Sequence, residues 1–149
     1  MKYNLVTGST GVLGSELVKS LLKINPNLII LKRASSDLSR LIGIKDQFIS
    51  YNVEDGLSSI FVDHDIETVF HLATAYGRKG ESKEDIILSN VNFPSEVLKF
   101  SILNDVKNFI NFDTSLPGNL NHYASSKKKF RNILESSSSN SSINIFTCN

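Results

Sequence analysis

The chain has 149 residues and a formal net charge of +1, with 40% hydrophobic and 21% charged residues. This length predicts one domain with a full hydrophobic core, and the balanced charge gives no electrostatic argument for nucleic-acid binding. No apolar run could span a membrane, and the start does not resemble a signal peptide. The single cysteine, Cys148, excludes an internal disulfide and a cysteine-based metal site. A cytoplasmic location is therefore expected.

The first predicted element is a strand that ends in a glycine-rich turn and passes directly into a helix. Residues 2–15 contain Gly8, Gly11 and Gly14, and an apolar helical pattern follows them. Gly8 allows the chain to leave the strand, Gly11 allows a phosphate to approach the backbone, and Gly14 allows close packing of the helix. The turn also directs backbone N–H groups and the positive end of the helix dipole at one point, which suits a pyrophosphate.

This turn predicts a nucleotide site. The glycine spacing is three and three, whereas the G-x-G-x-x-G pattern has two and three, so an ordinary glycine-rich turn between a strand and a helix is the alternative. The residues predicted to line the site are Gly8, Thr10, Gly11, Val12, Leu13 and Gly14.

The second predicted strand, residues 28–31, is a continuous apolar run, which is typical of a parallel strand buried on both faces. In a dinucleotide fold the adenosine ribose lies at the end of this strand, where an acid favours NAD and a base favours NADP. Lys32 and Arg33 stand there, whereas Asp37 comes too late to be the usual ribose ligand. The sequence therefore predicts NADP, with Arg33 as the discriminating residue helped by Lys32 or Ser35. NAD is the alternative cofactor, and solvated loop charges are the competing interpretation.

The later elements continue the alternation of strands and helices. Strands are predicted at 48–53, 67–73, 106–112 and 143–147, and helices around 57–61, at 82–103 with an interruption at Pro94, and at 123–134. The serine-rich stretch 136–142 is predicted to be a loop. This order predicts an α/β fold, namely a Rossmann-type, doubly wound parallel sheet of about six strands in three layers.

Polar groups after the fifth predicted strand have the chemistry for proton transfer. Tyr123 and Lys127 lie one helical turn apart and therefore on one helix face, where a lysine lowers the pKa of a tyrosine by stabilising its phenolate. Such a tyrosine can exchange a proton with a carbonyl oxygen as hydride moves to or from the carbon. Thr114, with Ser115 as the second choice, follows the strand at the edge where ligands of such sheets bind. Chance helical spacing and a plain strand-end turn are the alternatives.

The combination of these motifs resembles the extended short-chain dehydrogenase/reductase family, in its NAD-dependent epimerase/dehydratase group. The resemblance covers the whole chain in order and rests on the glycine turn, Val69-Phe70-His71-Leu72-Ala73, Asn90-Val91, Thr114 and Tyr123-x-x-x-Lys127. Within that group, the short link from Asp113 to Tyr123 is similar to that of bacterial nucleotide-sugar 4-ketoreductases of the CDP-abequose synthase type.

The resemblance implies a role for each matching residue. Tyr123 is the acid/base, Lys127 holds the nicotinamide ribose and tunes the tyrosine, and Thr114 takes the place of the family's serine or threonine. His71 belongs to the strand pattern, and a packing role is expected of it. The substrate is a small-molecule nucleotide sugar, and further cofactor contacts are implied for Asn52, Val53, Leu72, Ala73, Thr74 and Asn90.

The family continues past the sixth strand into a smaller domain that binds the sugar nucleotide, whereas this sequence ends at Asn149. We therefore expect residues 1–149 to form an NAD(P)-binding Rossmann domain without the substrate-binding domain. Two interpretations stay open: an enzyme that reduces or epimerises a nucleotide sugar, and a dinucleotide-binding module without turnover. The last strand, near a sheet edge, favours self-association, for which a homodimer is the expected form.

Overall fold

Six parallel strands form one sheet in the computed structural model, which describes all 149 residues. The strands are β1 (Tyr3–Thr7), β2 (Leu28–Lys32), β3 (Ile49–Asn52), β4 (Ile66–His71), β5 (Asn108–Phe112) and β6 (Asn144–Cys148). Their order across the sheet is β3-β2-β1-β4-β5-β6, and every neighbouring pair is parallel. The predicted doubly wound α/β fold is thereby confirmed.

Five α-helices connect the strands. They are α1 (Val12–Leu22), α2 (Ser58–Asp63), α3 (Lys83–Ile87), α4 (Phe93–Leu103) and α5 (His122–Asn140). A 3₁₀ segment, Ser39–Gln47, follows β2, and a π-helical turn, Leu88–Asn92, joins α3 to α4. Pro94 lies in the first turn of α4, where its missing N–H costs little. The interruption predicted at Pro94 therefore takes the form of the π-helical turn before it.

Apolar side chains cover both faces of the sheet. On one face, Leu5 and Phe109 pack against α2, α4 and α5 in a cluster of 15 buried residues. On the other face, Val6 and Ile30 pack against α1 and the 3₁₀ segment in a cluster of five buried residues. Successive side chains of β1 thus enter opposite cores, as expected for a central parallel strand.

The sheet grows in opposite directions from β1. The chain first moves from β1 to β2 and β3 on one side, and then crosses to β4, β5 and β6 on the other. At such a reversal the loops that follow the two central strands leave in opposite directions, and the crevice between them is where ligands bind. The loops after β1 and β4 therefore define the first place to look for a site.

The serine-rich stretch is largely helical, which corrects the loop predicted for residues 136–142. Helix α5 runs to Asn140, beyond the predicted end at 134. Side-chain hydroxyls here bond to carbonyls one turn earlier, with Ser139 Oγ donating to Glu135 O at 3.3 Å and Ser141 Oγ donating to Ser137 O at 2.7 Å. The intermediate helix propensity of serine therefore does not end α5 before Asn140.

Candidate functional site

Two of the three glycines after β1 are required by the fold itself. Gly8 has a φ of +70°, and a Cβ built on it would lie 2.5 Å from the backbone nitrogen of Ala73. A Cβ on Gly14 would overlap the Gly8 carbonyl oxygen. The turn after β1 therefore packs directly on the loop after β4, and α1 packs directly on the turn.

Gly11 differs because the chain leaves open space around it. Gly11 is the exposed N-cap of α1, and a Cβ built on it would meet only the Gly8 carbonyl oxygen, at an ordinary 3.6 Å. No side chain caps α1 and its first turn has no acidic residue, so its terminal N–H groups can bind an anion. Val12 and Leu13 are exposed beside them. The open space and the uncapped N–H groups, together called the Gly11 cradle, are what a pyrophosphate would require, and a side chain at Gly11 would occupy part of that space.

A buried hydrogen-bond network fixes the loop that follows β4. The Thr7 hydroxyl accepts from the backbone N–H groups of Leu72 and Ala73, each at 3.2 Å, and lies 2.8 Å from His71 Nδ1. Since this hydroxyl accepts twice, its own proton points at Nδ1, and we assign the ring proton of His71 to Nε2. Burial, with a smaller contribution from Lys127, lowers the pKa of His71 to about 3, so the ring is neutral. His71 packs in the core and also holds this loop in place.

Asn90, in the π-helical turn, uses its whole amide inside the protein. Its Oδ1 accepts from Thr74 Oγ1 at 3.1 Å and from the Ala75 N–H at 2.7 Å. Its Nδ2 donates to Ala75 O at 2.8 Å and to Ser126 Oγ at 3.0 Å, which joins the loop after β4 to α5. The amide therefore positions this loop, and the direct cofactor contact expected of Asn90 stays a prediction. π-helical turns of this kind are frequent at functional sites.

The two basic residues at the end of β2 have different surroundings. Lys32 Nζ donates to Asn52 Oδ1 at 2.7 Å, so this lysine is engaged with the neighbouring strand. The Arg33 side chain is exposed and forms no ion pair. Glu54, in a 3₁₀ turn after β3, brings a carboxylate to this loop, where it accepts from the Ala34 N–H at 3.0 Å. Of the two predicted bases, Arg33 is the one whose charge is free to meet a ligand.

Thr114, Tyr123 and Lys127 meet at the carboxyl end of β5. The Thr114 side chain lies close enough to the Tyr123 phenol to lower the pKa of the phenol. Lys127 is buried and its Nζ donates to Phe112 O at 2.7 Å. The remaining predicted cofactor residues are half-buried: Thr10, Val53, Leu72, Ala73 and Thr74.

The titration of the tyrosine differs from the sequence-based expectation. Burial raises the pKa of Tyr123, and the nearby Thr114 side chain only partly offsets this. Burial also lowers the pKa of Lys127, which Asp113 opposes. The lysine ammonium is directed at the Phe112 carbonyl, so it does not supply the lowering that the spacing predicts, and desolvation of the phenol dominates.

Four residues that border this group were not predicted. The Tyr76 and Tyr123 ring centroids lie 5.1 Å apart, and the Arg78 guanidinium carbon lies 5.6 Å from the Tyr76 centroid. Asp113 and Arg131 form an ion pair with an Nε to Oδ2 distance of 2.6 Å. Placement just after a strand could have indicated the first three, and i, i+4 spacing from the candidate lysine could have indicated Arg131.

No group of three or more histidine, cysteine, aspartate or glutamate side chains is arranged to hold a metal ion. None of the helices combines the length and the apolar character needed to cross a bilayer.

Comparison with known proteins adds family information to this geometry. Residues 4–144 match the model of the NAD dependent epimerase/dehydratase family. A CDP-abequose synthase from Salmonella muenchen is 27% identical over 135 residues, which cover 87% of this chain and 45% of that protein.

Solved structures share the fold. UDP-glucose 4-epimerase from Thermotoga maritima, in a structure with UDP-glucose, has a TM-score of 0.85 at 21% identity, over 97% of this chain and 54% of that one. UDP-glucuronic acid 4-epimerase from Bacillus cereus, in complex with NAD, has a TM-score of 0.79 at 22% identity, over 99% of this chain and 55% of that one. The chain thus spans about half the length of the relatives that it matches.

Proposed function

The chain belongs to the NAD-dependent epimerase/dehydratase family, as the motifs indicated, and from that premise we propose that it binds a nicotinamide dinucleotide and acts on a nucleotide sugar. One observation carries the proposal. Thr114 lies near the Tyr123 phenol at the carboxyl edge of the sheet, where Lys127 Nζ donates to Phe112 O, and the first strand of the same sheet leads into the Gly11 cradle. A phosphate cradle and a proton-transferring group at one sheet edge are what hydride transfer to a sugar carbonyl requires.

The chain's own residues would hold the cofactor along this edge. The pyrophosphate would lie on the N–H groups of α1 at Gly11, the adenosine end near Arg33 and Asn52, and the nicotinamide ribose on Lys127. The Thr7 network supports this arrangement because it fixes the loop after β4 against the turn. When bound, the cofactor supplies or accepts the hydride at a sugar carbon.

Tyr123 moves the proton that accompanies this transfer. It would donate its phenolic proton to the sugar oxygen when a ketone is reduced, and accept a proton when an alcohol is oxidised. Thr114 would hydrogen-bond the same oxygen. Thr114 also lowers the pKa of Tyr123 and so partly offsets the effect of burial.

A preference for NADP over NAD is part of the proposal. Arg33 is exposed and without an ion-pair partner, and a guanidinium binds a 2′-phosphate well. NAD is the alternative, since the Bacillus cereus epimerase was solved with NAD and the Glu54 carboxylate, which follows β3, binds the Ala34 N–H next to Arg33.

The proposed substrate is a 4-keto sugar carried by a nucleoside diphosphate. The relative from Salmonella muenchen favours a CDP-linked sugar and reduction by the chain. The Thermotoga maritima structure, with UDP-glucose, supports epimerisation at C4 as the alternative outcome at the same site.

A dinucleotide-binding module without turnover is the second candidate function. It is favoured by the raised pKa of Tyr123, which disfavours the phenolate, and by Lys127 Nζ, which donates to Phe112 O. The purified chain would be titrated with NADPH and NADH and then assayed for hydride transfer to a CDP- or dTDP-linked 4-keto sugar. Turnover supports the enzyme, binding without turnover supports the module, and the absence of binding contradicts both.

We also propose a homodimer, formed through β6. This strand pairs only with β5, so it is a sheet edge, and its Phe146 side chain is 53% exposed. Exposed edge strands pair readily with another chain. Size-exclusion chromatography should give a dimer for the wild type and a monomer for Phe146→Lys, and a monomeric wild type would contradict the proposal.

The free thiol of Cys148 is consistent with the cytoplasmic location proposed for the chain.

A further inference from the structure

Asp113 is a buried carboxylate that the proposed chemistry does not use. Its side chain is 0% exposed, although it comes directly after β5. Its Oδ1 accepts from the Thr114 N–H at 2.7 Å, and its own N–H donates to Cys148 O at 2.7 Å. A carboxylate in such a place is costly unless a cation pairs with it, so the identity of its partner matters.

Arg131 is that partner, and it binds the same loop twice. Its Nε donates to Asp113 Oδ2 at 2.6 Å and its Nη2 donates to Thr114 O at 3.2 Å. Arg131 follows Lys127 by one helical turn and Tyr123 by two turns on α5, so the three side chains share one face of the helix. The guanidinium therefore joins the loop that carries Thr114 to the helix that carries the tyrosine and the lysine.

We propose that Arg131 is a positioning residue for proton transfer: acting through Asp113 and the Thr114 carbonyl, it holds the loop that carries Thr114 beside the helix that carries Tyr123 and neutralises the buried carboxylate of Asp113. The inference rests on the proposed function for its purpose, whereas the contacts belong to the chain alone. A lysine cannot replace Arg131 here, because the two acceptors require two donors in a fixed planar fork.

The charges around Tyr123 determine in which direction its pKa changes when either member of the Asp113–Arg131 ion pair is lost. The titratable groups that act on the phenol are Asp113 after β5 and Tyr76 and Arg78 after β4, whereas Lys127, on the helix of Tyr123 itself, donates to Phe112 O. Burial is the main cause of the raised pKa of Tyr123; Tyr76 and Asp113 add to it, and Arg78 opposes it. Loss of the Arg131 guanidinium exposes the phenol to an unpaired carboxylate and raises this pKa. Loss of the Asp113 charge leaves an unpaired guanidinium and lowers it.

The test measures the pKa of Tyr123 directly. All four tyrosines are replaced by 3-fluorotyrosine, whose lower phenol pKa allows titration while the chain is folded, and the ¹⁹F resonance of residue 123 is followed with pH. The Tyr123→Phe variant assigns that resonance. We expect Arg131→Gln to raise the pKa by about one unit, Asp113→Asn to lower it, and the double variant to return to within about half a unit of the wild type.

Two further variants make the result specific to the clamp. Arg131→Lys keeps the positive charge but cannot make both hydrogen bonds. The pKa of Tyr123 in this variant should therefore lie between those of the wild type and Arg131→Gln. Arg40→Gln, which removes an exposed arginine of the 3₁₀ segment, should leave the resonance unchanged. Shifts of the same sign in the two single variants, or no shift in Arg131→Gln, would overturn the proposal.

Two additional results distinguish a folding defect, or a failure of the proposed function, from a failure of this proposal. If Arg131→Gln does not fold, Asp113→Asn and the double variant still test the proposal. Asp113→Asn should lower the pKa of Tyr123, and the double variant should restore it. Any other pattern contradicts the positioning role of Arg131. Titration with NADPH of the same samples tests the proposed function separately. A chain that binds no dinucleotide and yet gives the expected pKa pattern would contradict the function and support the clamp.

Discussion

The Thr7 hydroxyl lies 2.8 Å from His71 Nδ1, 64 residues further along the chain, and this bond joins the turn after β1 to the loop after β4. Thr7→Val keeps the shape of the side chain but leaves Nδ1 and the Ala73 N–H without a partner. We expect the free energy of unfolding, measured by urea denaturation, to fall by about 1–3 kcal/mol. Thr7→Ser keeps the hydroxyl and should retain most of the stability, so equal losses in the two variants would contradict this role.

The burial of His71 makes the chain less stable in acid. The pKa of its ring is lowered from 6.5 to about 3 in the folded chain, so between these values only the unfolded state takes up the proton. This contribution to stability is fully present above about pH 6.5 and is lost as the pH falls toward 3, by at most about 1.4 kcal/mol per pH unit. Urea denaturation at several pH values should show the loss in the wild type and in His122→Gln, which changes an exposed histidine. His71→Gln should lack this component, and an unchanged slope in that variant would exclude His71 as its cause.

Arg33→Ala tests the preferred cofactor. Removing the guanidinium should weaken NADPH binding by about tenfold, equivalent to 1.4 kcal/mol, and leave NADH binding nearly unchanged. Isothermal titration with both cofactors measures the ratio. Arg40→Ala, another exposed arginine, is the matched control, and a ratio that Arg33→Ala does not alter would refute the NADP assignment.

Tyr123→Phe separates catalysis from binding. Without the phenolic proton, hydride transfer should fall by about 10²–10⁴-fold, while the dissociation constant of the dinucleotide stays close to that of the wild type. The Tyr76 ring centroid lies 5.1 Å from that of Tyr123. Tyr76→Phe, which removes only the hydroxyl of this neighbouring ring, should keep most of the turnover. Full turnover by Tyr123→Phe would exclude it as the acid/base.

The fold could be predicted further than the electrostatics of the site. Alternating apolar runs and the glycine turn were sufficient for the sheet, because local patterns determine which segments become buried strands. Two contacts of the site could not be predicted because they join residues far apart in the chain, namely Lys32 with Asn52 and Arg131 with Asp113. The raised pKa of Tyr123 depends on burial, which spacing does not reveal.

The most direct measurement compares dinucleotide binding by the wild type, Gly11→Ala and Gly43→Ala. A Cβ at Gly11 meets only an ordinary contact and one at Gly43 meets nothing within 4 Å, so both variants should fold with stabilities within about 1 kcal/mol of the wild type. If a pyrophosphate binds in the cradle, Gly11→Ala should raise the dissociation constant for NADPH at least about tenfold, and Gly43→Ala should leave it unchanged. Equal dissociation constants for the three proteins, or no saturable binding by the wild type, would contradict a dinucleotide site at this turn.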